Sequence, residues 1–154
     1  METGFKVLDA MTKMPITAMS TLSITDAARL MVKHGVGSLL VVDKEQLVGI
    51  ITEGDLTYRV IAKSLSPDKT LVTDIMTTDV VSLAPDMDIY DALVQMNNFE
   101  IRHAPVMHHG KLVGFLTQKD ILKIQPDLFD LIVERMHIRE EKEKPVYGDI
   151  RLIE

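Results

Sequence analysis

Apolar residues recur along this chain with two different periods, and the whole pattern is written twice. They fall at Ile24, Ala27, Ala28 and Met31, and again at Ile89, Ala92, Leu93 and Met96. That is i, i+3, i+4, i+7 spacing, one face of an amphipathic helix. Ser23 and Asp88 stand just ahead as N-caps, with Asp26 and Asp91 three residues on. A short extended stretch leads into each helix, Pro15–Ala18 and Val80–Leu83. Two apolar runs follow each helix: Ser38–Val42 with Leu47–Ile51, and His103–Met107 with Leu112–Leu116. The polar turns Asp43–Gln46 and His108–Lys111 separate them, so each pair reads as a hairpin of half-buried strands. A second helix begins at Thr52 or Thr117. Each unit is β-α-β-β-α and too small to bury much alone.

Sliding the chain against itself by 65 residues aligns 7–56 with 72–121 without a gap, and 14 of the 50 pairs are identical. Among them are Asp9/Asp74, Met11/Met76, Thr12/Thr77, Gly49/Gly114, Thr52/Thr117 and Asp55/Asp120. Self-similarity at a fixed offset decides the architecture before any local signal does. The expected fold is α/β (α+β): two β-α-β-β-α repeats packed face to face with pseudo-two-fold symmetry around a shared core, plus a C-terminal helix. The first repeat spans 6–63 and the second 71–124. Between them, 64–70 (SLSPDKT) is a linker in which Pro67 stops the preceding helix. Residues 126–154 form the C-terminal helix and tail. Leu128, Leu131, Ile132 and Met136 give Asp127–Lys142 an amphipathic face, and Pro145–Glu154 is left without an assigned role.

Composition removes several function classes. The 154 residues include no cysteine, so disulfides and thiolate metal sites are excluded. The histidines His103, His108, His109 and His137 lack the partners of a metal motif, and His108–His109 fall in a turn where polar residues belong. A net charge of −6, with acids and bases interspersed, argues against a general nucleic-acid binder. No apolar run reaches the roughly 20 residues of a membrane-spanning helix. No signal peptide is evident at the N-terminus, so a cytoplasmic location is expected. There is no nucleophile elbow, phosphate-binding P-loop or paired-carboxylate constellation, and no catalytic role is expected.

The motifs DAMT at Asp9–Thr12 and DIMT at Asp74–Thr77, LVGIIT at Leu47–Thr52 and LVGFLT at Leu112–Thr117, a closing T-x-x-D in each copy, and IRHAPV at Ile101–Val106 together resemble the CBS-domain family. In that family two repeats form one Bateman module, and the likeness covers about residues 6–124. The resemblance implies a regulatory module that binds an adenosine derivative such as AMP, ADP, ATP, S-adenosylmethionine or NAD. It implies ribose binding by Thr52 with Asp55 and by Thr117 with Asp120. It implies adenine binding by Val80, Val81 and Ser82 opposite Asp55, and by Pro15, Ile16 and Thr17 opposite Asp120. Phosphates would fall to Arg102, His103 and Lys119. Each assignment has a plainer counterpart. T-x-x-D ahead of a helix is also a capping box, the adenine-wall residues are also strand residues over a core, and Arg and Lys usually form a solvated rim.

The first repeat has Gly37, Ser38 and Gly54 where the second has Arg102, His103 and Lys119, and Glu53 where the second has Gln118. The two sites are therefore expected to be unequal. The resemblance further implies a homodimer formed through the helices and a signal passed to a separate protein target. The competing expectation is a structural dimerisation module whose nucleotide sites have decayed.

Overall fold

The computed structural model describes residues 1–134, so the far end of Asp127–Lys142 and all of Pro145–Glu154 lie outside the described residues. The elements are α1 (Val7–Ala10), β1 (Thr17–Met19), α2 (Ile24–His34), β2 (Ser38–Asp43), β3 (Gln46–Thr52), α3 (Glu53–Asp55) continuing as a π-helix over Leu56–Ile61, α4 (Val72–Ile75), α5 (Ile89–Asn98), β4 (His103–His108), β5 (Lys111–Thr117) and α6 (Gln118–Ile124). A 3-10 turn at Pro126–Leu128 leads into helix over 129–134. The anticipated caps form: Ser23 accepts from the Asp26 amide at 3.1 Å, and Asp88 from the Tyr90 amide at 2.8 Å.

One sheet has the order β1-β2-β3, with β1 parallel to β2 and β2 antiparallel to β3. The other has β4 antiparallel to β5. The hairpin turns place Lys44 and Glu45, and His109 and Gly110, at positive φ, the backbone that a tight two-residue connection demands. Both hairpins shift register at matching points, after Val41 and after Val106. The extended stretch Val80–Leu83 does not become a ladder strand. Only Leu83 bridges β4, with its amide donating to the Pro105 carbonyl and its carbonyl accepting from the Met107 amide, both at 2.9 Å.

The packing departs from a single shared core. Two separate clusters form, and each repeat completes the other's. Val7 of α1, from the first repeat, is fully buried among Ile89, Leu93, Met96, Val106 and Leu116 of the second. Val72 and Ile75 of α4, from the second, lie among Ile24, Met31, Leu39, Val41 and Ile51 of the first. The backbone follows the same exchange. Thr12 and Phe115 trade amide–carbonyl bonds at 2.8 and 2.9 Å, and Ile50 and Thr77 trade two at 2.9 Å. Further bonds wrap the lead-in segments around the helix starts: Val7 to Met87 and Leu8 to Pro85, repeated as Val72 to Leu22 and Thr73 to Ser20.

The second repeat adds one tie that the pattern of apolar residues did not reveal. Asp88, only 5% exposed, accepts hydrogen bonds from the Thr3 amide (2.9 Å), the Thr3 hydroxyl (3.0 Å) and the Gly4 amide (3.3 Å) as well as from Tyr90. Burial pushes its carboxyl pKa upward, but these bonds together outweigh it and hold the group below the ordinary 3.8. The N-terminus is thereby fastened to the start of α5.

The exchange explains a repeated pair. A Cβ on Gly49 would sit 2.6 Å from the Met76 sulfur and 2.9 Å from the Thr77 carbonyl oxygen. One on Gly114 would collide with the Met11 sulfur and stand 3.0 Å from the Thr12 carbonyl. Only glycine lets each lead-in segment lie flat on the opposite hairpin. Gly49→Ala is expected to destabilise the fold by about 1–3 kcal/mol through overpacking. Adding Met76→Ala should recover only part of that, because the Thr77 backbone oxygen remains in the way. Denaturant midpoints of the two variants check both statements.

Candidate functional site

Thr52 and Thr117 end β3 and β5, and their extended backbones turn directly into helix. The plainer reading of T-x-x-D is realised in both repeats. The Asp55 amide donates to the Thr52 hydroxyl at 3.2 Å, and the Thr52 amide donates to Asp55 Oδ2 at 2.8 Å. The Asp120 amide donates to the Thr117 hydroxyl at 3.1 Å, while the Thr117 amide and hydroxyl donate to Asp120 Oδ2 at 3.0 and 2.8 Å. These bonds leave Oδ1 of each Asp outside the cap. Both carboxylates stay partly open, at 15% and 20% side-chain exposure. A cap and an outward-facing acceptor thus coexist in one side chain.

Two cations approach the Oδ1 atoms. Arg59 Nε lies 3.4 Å from Asp55, and Lys123 Nζ lies 3.8 Å from Asp120. Neither stood out in the sequence. The signal was available only as i+4 and i+3 spacing from each Asp, which is ordinary on any helix face.

His103 begins β4, half-buried, with its ring 5.8 Å from that of Phe115. Burial pushes its pKa below the usual 6.5, the Arg102 charge pushes the same way, and the Asp55 carboxylate pulls it back up. The Asp55 of one repeat and the His103–Arg102 pair of the other therefore share one electrostatic neighbourhood. Arg102 itself is exposed, and its carbonyl accepts from the Gln118 amide at 2.9 Å. Lys119 is exposed on the first turn of α6.

The residues expected as adenine walls lead into the points where each segment meets a sheet: Val80 lies three residues before the parallel bridge Leu83–Val106, and Pro15 two residues before the parallel pair Thr17–Leu40. Val80, Val81, Pro15 and Ile16 are half-buried, whereas Ser82 and Thr17 are exposed. The Ser82 carbonyl also accepts from Gln95 Nε2 at 3.2 Å.

The first repeat mirrors the backbone but not the charge. The Glu53 amide donates to the Gly37 carbonyl at 2.9 Å, matching Gln118 to Arg102. A Cβ on Gly37 would lie 3.2 Å from the Glu53 carboxylate, so that acid covers the spot where the second repeat carries Arg102. Among the described residues, no group of three His, Cys, Asp or Glu side chains is placed to hold a metal.

Residues 7–62 and 72–127 each match the CBS domain family. An uncharacterized protein of Methanopyrus kandleri is 36% identical over 129 residues, covering 82% of this chain and 66% of that protein. The L-aspartate semialdehyde sulfurtransferase of Methanocaldococcus jannaschii is 36% identical over 120 residues, 77% of this chain but 23% of the enzyme. The chain thus spans about two thirds of the first relative and under a quarter of the second. A CBS domain pair solved in complex with 5′-methylthioadenosine and S-adenosyl-L-methionine superposes with a TM-score of 0.72 at 32% identity, covering 80% of this chain and 97% of that one.

His103 gives a direct check on the site's electrostatics. Its folded pKa is depressed, so between that value and 6.5 the unfolded chain binds more protons than the native one. Stability should therefore fall as pH drops through that window. Denaturant midpoints on either side of pH 6.5 should separate less in His103→Gln than in the parent protein, and the His103 ring resonance should titrate below 6.5 by NMR.

Proposed function

The chain belongs to the CBS-domain family, and from that premise we propose that it is a regulatory module that binds an adenosyl ligand between its two repeats and reports the occupancy to a separate protein. The observation that carries this reading is the Asp55 carboxylate. Its Oδ2 is taken by the Thr52 cap, while its Oδ1 lies outside that cap, on a partly exposed side chain whose charge is felt by His103 of the opposite repeat. An ionised oxygen fixed in a cleft suits the hydroxyls of a ribose. The half-buried Val80 and Val81 offer a flat apolar wall for a purine. The related pair that holds 5′-methylthioadenosine and S-adenosyl-L-methionine supports an adenosyl ligand in the same kind of cleft.

The charge inventory favours the Asp55 site for the phosphorylated ligand, AMP, ADP or ATP, with Arg102 and Lys119 as countercharge and the neutral His103 ring as a hydrogen-bonding partner. Glu53 makes the Asp120 site unfavourable for phosphate and suited to a neutral or cationic adenosyl group such as S-adenosylmethionine. Thr52 and Thr117 orient the acceptors, and Pro15, Ile16, Thr17 and Ser82 complete the adenine walls. Asp55→Ala is expected to weaken the preferred nucleotide by about 1.5–3 kcal/mol for each ribose bond lost. Arg102→Ala should weaken AMP far more than adenosine, with the gap closing as salt rises. Calorimetry across these variants decides it, and equal losses for AMP and adenosine in Arg102→Ala would reject the phosphate assignment.

A homodimer is the second part of the reading. Outside the cleft, α2 and the π-helix frame an apolar groove of about 600 Å³ lined by Ile24, Ala28, Val32, Leu56, Ile61 and Pro67. Val32 is 82% exposed and Ile61 63%, an arrangement that a partner's helices would cover. Light scattering at tens of micromolar is expected to give twice the chain mass, and Val32→Glu should return it to monomer.

A further inference from the structure

The two repeats part company in backbone just after their T-x-x-D motifs. In the second, α6 runs on as a regular α-helix to Ile124. In the first, Leu56–Ile61 winds as a π-helix, with the Ala62 amide bonded to the Thr57 carbonyl at 2.9 Å. Such widened turns are rare and recur at functional sites.

This π-helix carries Arg59, which is held at two points. Its Nε lies 3.4 Å from Asp55 Oδ1, and its Nη1 donates to the Ile75 carbonyl at 2.8 Å. Ile75 closes α4, and the next two residues, Met76 and Thr77, are those that lie on Gly49 and Ile50. The guanidinium thus spans from the candidate ribose acceptor to the segment by which the second repeat is inserted into the first. A carboxylate has about four lone-pair positions. The Thr52 amide takes one on Oδ2 and Arg59 approaches one on Oδ1, which leaves one on each oxygen for a diol. At the Asp120 site the balance differs. Oδ2 accepts two bonds from Thr117, the cation near Oδ1 is Lys123 at 3.8 Å on a side chain 67% exposed, and Ile124 stands where the first repeat has Arg59.

We propose that Arg59 is the positioning residue of the Asp55 site: it fixes Oδ1 for a ribose diol and couples occupancy of that site to α4 of the other repeat. This rests on the adenosyl reading above. Because Arg59 acts through Asp55, its removal must weaken ligands by their ribose and not by their 5′ substituent.

Adenosine, 5′-methylthioadenosine and AMP share the ribose and differ at that carbon. Titrated calorimetrically in an Asp120→Ala background, which confines binding to the Asp55 site, Arg59→Gln should weaken all that bind that background by a similar factor, about tenfold. It should cause little further loss in an Asp55→Ala background, and Arg59→Lys should restore part of the affinity. Hydrogen exchange adds a readout that a purely structural role would not move. Adenosine should slow exchange around Val72–Thr77 in the parent protein and not in Arg59→Gln. Three results would overturn the inference: a loss confined to AMP, which makes Arg59 a phosphate ligand; unchanged affinities with a lowered melting temperature, which makes it merely structural; and additive losses in the double variant. Failure of the parent protein to bind any of the three compounds would instead bring down the adenosyl reading itself.

Discussion

Each repeat is held together by a piece of the other, and the contact that permits this is a methionine lying on a glycine. Met11 rests on Gly114 and Met76 on Gly49, with the carbonyls of Thr12 and Thr77 at the same surfaces. A side chain at either glycine would lift the segment off the hairpin and break the adjoining pair of backbone bonds. Val7 and Val72 would then leave the cores they complete. A unit of this size buries too little apolar surface to fold confidently by itself, so the exchange converts two marginal hairpin-and-helix layers into one cooperative body. Each lead-in segment also bridges both sheets, Thr12 to Phe115 and Thr17 to Leu40 in one, Thr77 to Ile50 and Leu83 to Val106 in the other.

The candidate binding cleft inherits its composite character from that arrangement. Asp55 is delivered by the end of β3, and His103 by the start of β4 in the other repeat. Val80 lies on the segment that leaves Thr77 on one sheet and reaches Leu83 on the second. The candidate cleft therefore draws on both repeats. Duplication supplied two candidate clefts, and their side chains differ at four matched positions, Gly37/Arg102, Ser38/His103, Glu53/Gln118 and Gly54/Lys119. Arg102 and His103 replace Gly37 and Ser38, while Glu53 faces Gly37 in place of the neutral Gln118.

The T-x-x-D motif is first of all a structural device. A helix that starts directly from a strand leaves orphan amides, and a reciprocal Thr–Asp cap satisfies two of them. The cap occupies one carboxylate oxygen, immobilises the side chain and turns the other oxygen outward. Preorganisation of this kind lowers the entropic penalty of binding a small polar group. Capping and the proposed binding are therefore compatible roles for these residues, since the cap leaves Oδ1 free of its own bonds.

The sequence by itself determined the elements, the repeat and the residue types at the cleft. Periodicity of apolar positions and a 65-residue self-match are local or pairwise properties of the string, and they survive whatever the tertiary arrangement does. Caps at Ser23, Asp88, Thr52 and Thr117 were legible for the same reason, since their partners lie within three residues. Tertiary structure alone decided what crosses between repeats. The identity Gly49/Gly114 was visible, but not that it faces Met76 and Met11, because those contacts depend on which lead-in segment lies on which hairpin. The Asp88 tie to Thr3 and Gly4 spans about 85 residues and leaves no pattern in the string. Arg59 was overlooked because a charged residue four positions after an Asp is commonplace. Only the π-helical backbone, with the Ile75 carbonyl brought to meet it, sets that arginine apart.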